Sequence, residues 1–183
     1  MQNFIRKLTT TRSIIILILV TLMFNLAFAW YSSGVATSIP DTQVFYTAEG
    51  LYEIFTSLGE AGRSAYLTVT LLLDYLYPVA YTLLLVALIY RLSAGKKQLS
   101  LLPLAIFILD YLENTTIILL LLHYPGELPW LATMAGFFTL FKWIMVIVCV
   151  AIVVLLAIRK LINKKKQGSG GFYQQNGTVK RKG

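Results

Sequence analysis

Charge is scarce in this chain, and acid scarcer still. Of 183 residues only 13% are charged, and eight are acidic. A soluble domain draws on roughly a quarter charged residues, so this composition excludes an ordinary water-exposed fold. There is one cysteine, Cys149, which excludes an intrachain disulfide. There is one histidine, His123, and it falls at the edge of an apolar run, which leaves the interior without imidazole. Despite a formal charge of +8, no nucleic-acid motif accompanies the basic residues. No sequence feature asks for a cofactor.

What the chain has in abundance is apolar sequence, 57% of the total. Runs of about 18 or more apolar residues are long enough to span a bilayer. Four occur, at about 13–30, 64–90, 99–123 and 129–158. The expected fold is therefore an all-α integral membrane four-helix bundle, with residues 1–163 as the membrane domain and 164–183 as a disordered basic tail. The first run, with a basic start before it and Ala27-Phe28-Ala29 near its end, also has the layout of a cleavable signal peptide. Its length favours an uncleaved span.

The basic residues alternate with the spans. Arg6, Lys7 and Arg12 precede the first, Arg91, Lys96 and Lys97 separate the second from the third, and eight more follow the fourth, from Arg159 to Lys182. Four spans put all of these on one side. Short cytoplasmic loops are the basic ones, so the expected location is the cell membrane with both termini cytoplasmic. The tail lysines are also suited to anionic lipid headgroups.

The long outer segment, 32–63, contains Leu51, Ile54, Phe55 and Leu58 at i, i+3, i+4 and i+7. That spacing predicts a short amphipathic helix, capped by Thr47 and ended by Gly59, with its apolar face on the bundle or on lipid. Arg63 and Tyr66 then suit the membrane interface.

Three runs carry ionisable groups where a membrane span should have none. The second holds Asp74, the third Asp110 and Glu113 beside Asn114, the fourth Lys142. In the second span Thr70, Asp74, Tyr77 and Tyr81 recur at i, i+4, i+7 and i+11, a polar stripe along one side. Asp110, Glu113 and Asn114 share a face of the third. The rise of a helix places Asp74 and Glu113 about 12–15 Å below the outer ends, and Asp110 and Lys142 about 20 Å. All lie well inside a hydrocarbon layer of about 30 Å. Each charge there costs about 2.5–3.5 kcal/mol, so four facing lipid would cost on the order of 10 kcal/mol. They are expected to face one another. Pro78 adds a further feature: it has no N–H, so the carbonyl of Asp74 should stand free beside its own carboxylate.

Three carboxyls against one ammonium leave two excess negative charges when all are ionised. Protons on the carboxyls or an entering cation would balance them. Lys142 already fills the counter-ion place, which argues against a divalent metal. The candidate ligand or ion-binding residues are Asp74, Tyr77, Asp110, Glu113, Asn114 and Lys142. The leading reading is a module that binds or transports a proton, a small cation or an amine-bearing amphiphile. The alternatives are a lipid-modifying enzyme using Asp110 or Glu113 as general acid/base, and an accessory subunit whose buried charges only fix helix packing. The sequon Asn114-Thr115-Thr116 lies too deep for a glycan.

The motifs Gly62-Arg63-x-x-Tyr66, Asp74-x-x-Tyr77-Pro78-x-x-Tyr81, Asp110-x-x-Glu113-Asn114 and Phe141-Lys142-Trp143 resemble those of a group of small four-span bacterial membrane proteins of unassigned activity. The resemblance covers about 58–143 and implies the four-span fold but no reaction. In architecture alone the chain is similar to the sterol-isomerase and sigma-2-receptor family, whose motifs have no counterparts here.

Overall fold

The computed structural model describes residues 2–33, 39–40 and 43–179, with side chains for 5–31, 39–40 and 43–164. Asp41, Lys180, Arg181 and Lys182, counted above for charge, lie outside the described residues. Regular structure within them is helical: α1 (Gln2–Leu8), α2 (Thr11–Ser33), α3 (Ala48–Val69), a π-helical segment (Thr70–Asp74), α4 (Tyr77–Leu92), α5 (Lys97–Ser100), α6 (Pro103–His123) and α7 (Pro129–Val179). Four stretches are long and apolar enough to cross a bilayer: Thr11–Tyr31, Ala48–Leu92, Lys97–His123 and Pro129–Lys164. They contain the four runs read from the sequence. The molecule is an all-α membrane four-helix bundle.

In this bundle α6 and α7 form the closest pair, and α4 packs against α2, α6 and α7. Much of α2 faces outward, with Ile16, Leu19, Met23 and Leu26 exposed. Apolar side chains on an outer face are what lipid requires. The basic sequence after the fourth span follows on as helical backbone to Val179.

The amphipathic helix forms where its periodicity placed it. The Thr47 hydroxyl accepts from the Gly50 N–H at 3.1 Å, satisfying one of the open donors of the first turn. Leu51, Ile54 and Phe55 are buried, so the apolar face seeks the bundle rather than lipid. The Tyr52 hydroxyl accepts from the Leu128 N–H at 2.6 Å, and Thr56 meets the Tyr124 hydroxyl at 3.2 Å. These bonds strap the start of α3 to the α6–α7 connection.

Gly59 ends the amphipathic helix as predicted, and a second helical stretch of α3 follows across a kink. The Gly59 backbone sits at φ 66°, ψ 179°, a region open essentially to glycine alone. Helix resumes directly and leads into the second span. Arg63 holds the bend, donating to the Phe55 carbonyl at 2.9 Å with its guanidinium 4.2 Å from the Tyr124 ring centroid.

Between α2 and α3 the chain dips inward. The carbonyl of Tyr46 lies so close to Gly136 that a Cβ there would sit 2.2 Å from it. Further down, Trp143 Nε1 donates to the Gln43 carbonyl at 3.1 Å. Trp143 is about 20 Å along α7 from Pro129, so Gln43 reaches the depth of the hydrocarbon interior. Irregular backbone survives there only when protein covers it or it lines a cavity. Ile39, Pro40 and Tyr46 are accordingly buried.

The interior has three layers. Leu51, Phe55, Tyr66, Ile117, Leu120, Ala132 and Ala135 form an apolar cluster toward the end that carries the start of α3. Ile89, Ile106 and Cys149 centre another toward the opposite end. The polar residues of α6 and α7 lie between the two.

Candidate functional site: an ion-pair layer beside an intramembrane cavity

The site begins with a broken helix. Pro78 cannot donate to the Asp74 carbonyl, and the backbone around that defect is π-helical over Thr70–Asp74 before α4 starts at Tyr77. The freed carbonyl is not open, contrary to the sequence expectation. Asn114 Nδ2 donates to it at 2.9 Å. The next carbonyl, of Tyr75, accepts from the Tyr111 hydroxyl at 2.6 Å. Two side chains of α6 thus complete the backbone of the second span. An unpaired carbonyl in hydrocarbon would cost several kcal/mol, which is why Asn114 turns to it.

Three of the four charges, Asp110, Glu113 and Lys142, meet as predicted. Lys142 on α7 places its Nζ 2.5 Å from Glu113 Oε2 and 3.3 Å from Asp110 Oδ1. Glu113 is fully buried, and its other oxygen accepts from the Thr139 hydroxyl at 2.7 Å. The Tyr81 hydroxyl donates to Asp110 Oδ2. Asp74 is 7% exposed on the facing helix. Removing ions from water is repaid only when partners and hydrogen bonds are close, and Glu113 meets that condition with an ammonium and a hydroxyl.

Next to this layer lies a partly open cavity of about 430 Å³. Asp74, Tyr77, Asp110 and Lys142 line it, together with Tyr81. Glu113 and Asn114 do not line it. The six candidate residues therefore divide: four reach the cavity, and two stand behind it, Glu113 holding Lys142 and Asn114 holding the Asp74 backbone. Among the described residues no three of His, Cys, Asp and Glu are grouped so as to hold a metal ion. His123 is exposed at the end of α6, far along the helix from this layer.

Three participants escaped the sequence reading. Tyr81 belongs to the recognised polar stripe but was not assigned to the site. Thr139 stands three residues before Lys142, hence on the same helix face. Asn25 on α2 lines the cavity and accepts from the Tyr77 hydroxyl at 3.3 Å. A lone amide amid the apolar first run was its only signal. Phe24 and Phe28 flank the same tyrosine, with ring centroids 5.7 and 5.6 Å from it.

Fold and site together define a class: a multi-span helical membrane protein with a buried acid–lysine network. No family model, curated protein or solved structure matches the chain, so the likeness to the four-span bacterial group rests on the quoted motifs alone.

Proposed function

We propose that the protein is a membrane binding or transport module whose intramembrane cavity accepts a cationic group. The supporting observation is the cavity itself, with Asp74 and Asp110 in its wall. Lys142 is already engaged by Glu113 and Asp110. Asp74, Asp110 and Glu113 together carry more charge than the one ammonium when all are ionised, and an entering cation or proton supplies the missing positive charge. In this reading Asp74 and Asp110 supply oxygens, Tyr77 orients the ligand, and Lys142, Glu113 and Asn114 keep the wall in shape.

The test is binding of ethylammonium to the purified protein, followed by calorimetry. Asp74→Asn should weaken it at least tenfold, about 1.4 kcal/mol, while the variant still melts cooperatively. Equal binding by wild type and variant, or none by either, defeats the reading. The enzyme alternative finds less support for Glu113, which stands behind Lys142 and off the cavity wall; Asp110 would have to carry the proton transfer.

The same proposal includes the topology and the domain division. The basic ends and the α4–α5 connection face the cytoplasm, and residues 164–183 form a separate tail available to anionic lipid. In a Cys149→Ser background, an impermeant thiol reagent added outside intact cells should label Glu127→Cys and spare Lys96→Cys. The opposite pattern inverts the topology.

A further inference from the structure

A proton needs no cavity, and a bare cation needs only a shell of oxygens. Here the partly open cavity offers about 430 Å³, and its wall changes character along its length. Asp74, Tyr77 and Tyr81 follow one another along the second span, and Tyr81 meets Asp110. Toward the other end the wall is Leu84, Leu85, Val146 and Val150. Val150 lies eight residues past Lys142, which is about 12 Å along α7. A wall with acid at one end and aliphatic carbon along the rest fits a ligand with the same division.

The polar end also discriminates by charge. Beside the two carboxyls the lining includes Phe28, Tyr77, Tyr81 and Trp143. Tyr77 and Tyr81 lie edge-on to each other at 4.9 Å between centroids, and Phe28 is 5.6 Å from Tyr77. Aromatic faces attract alkylammonium groups, and carboxylates pair with them. An anionic headgroup would meet two carboxylates, with the one lysine already held.

We propose that the ligand is a single-chain amphiphile with an amine head, bound with its nitrogen between Asp74 and Asp110 and its chain along Leu84, Leu85, Val146 and Val150. The proposal rests on the reading of the cavity as a cation site and adds the tail. Burial of each methylene strengthens binding, so affinity should rise with chain length until the aliphatic half is filled.

The experiment uses the full chain in lipid nanodiscs with the exposed Trp30 and Trp130 changed to Phe, which leaves Trp143 in the cavity wall as reporter. The probe is dodecylamine carrying bromine in its chain, which quenches indole fluorescence on contact. The expected result is saturable quenching, reversed by unlabelled dodecylamine. Asp74→Asn, Val146→Phe and Leu85→Phe should each weaken it at least tenfold in protein whose melting shows it to be folded. Dodecanol should not compete, and ethylammonium only at far higher concentration. Competition by ethylammonium as strong as by dodecylamine overturns the tail and leaves the cation site standing. Competition by dodecanol as strong as by the amine overturns the head. Unchanged binding in both phenylalanine variants overturns the tail's position. Absence of saturable quenching, with no ethylammonium binding by calorimetry, removes both readings together.

Discussion

Lys142 carries two carboxylates, and they depend on it unequally. Glu113 has no exposure at all and takes the closer contact, at 2.5 Å. Asp110 touches the cavity and has the Tyr81 hydroxyl as a second donor. Lys142→Met should therefore destabilise the protein by about 3–5 kcal/mol, the cost of leaving a buried charge without its partner. Adding Glu113→Gln should recover a good part of that, because the amide is neutral and can still accept from Thr139. Thermal melting of the two variants in detergent checks both halves; an additive double variant would mean that the pair does not interact. A second residue-scale dependence links Asn114 to Pro78. Asn114→Leu should cost about 1–3 kcal/mol by stranding the Asp74 carbonyl. In a Pro78→Ala background the backbone N–H returns, and the same change should cost less. A melting cycle over the four proteins gives the coupling, and a value of zero would sever the link.

At the scale of elements, two glycines shape the half of the bundle around α3 for different reasons. Gly59 has nothing within 4 Å of a built Cβ, so only its positive φ resists substitution. Gly59→Ala should cost about 1–3 kcal/mol of backbone strain. Gly136 is helical, and its difficulty is contact: the added carbon would collide with the Tyr46 carbonyl. Backbone cannot yield as a flexible side chain does, so Gly136→Ala should push the inward segment off α7 and cost about 1–3 kcal/mol. Hydrogen exchange separates the cases. Gly136→Ala should speed exchange at Gln43–Thr47, and Gly59→Ala should speed it around the bend in α3; identical patterns would refute the distinction. The helix break near Asp74 belongs to this scale too. It lets one span offer a side chain to the cavity and two carbonyls to α6, which a continuous helix would not do.

The whole molecule sets a polar layer between two apolar ones, with the first and fourth spans turning most of their apolar windows outward. The proposed domain division assigns the bundle's stability to residues up to 163. The segment beyond contains Gly168, Gly170 and Gly171, each costing about 1 kcal/mol in a helix interior. Removal of 165–183 should leave the melting temperature unchanged within about a degree or two, while binding to vesicles containing phosphatidylserine should fall. A large loss of stability would show that the last segment is part of the bundle.

The sequence by itself determined the number of spans, the amphipathic helix with its Thr47 cap, and the convergence of Asp110, Glu113 and Lys142. The reason is that hydrocarbon allows so few arrangements: charges at mid-depth must meet, and apolar periodicity must find a covered face. Only the tertiary structure decided which carboxylate the lysine holds more closely, that Asn114 donates to the Asp74 carbonyl, and that Asn25 lines the cavity from the first span. It alone brought Gln43 down beside Trp143. Those outcomes depend on distances between elements far apart in the chain, and neither spacing along one helix nor the count of charges contains them.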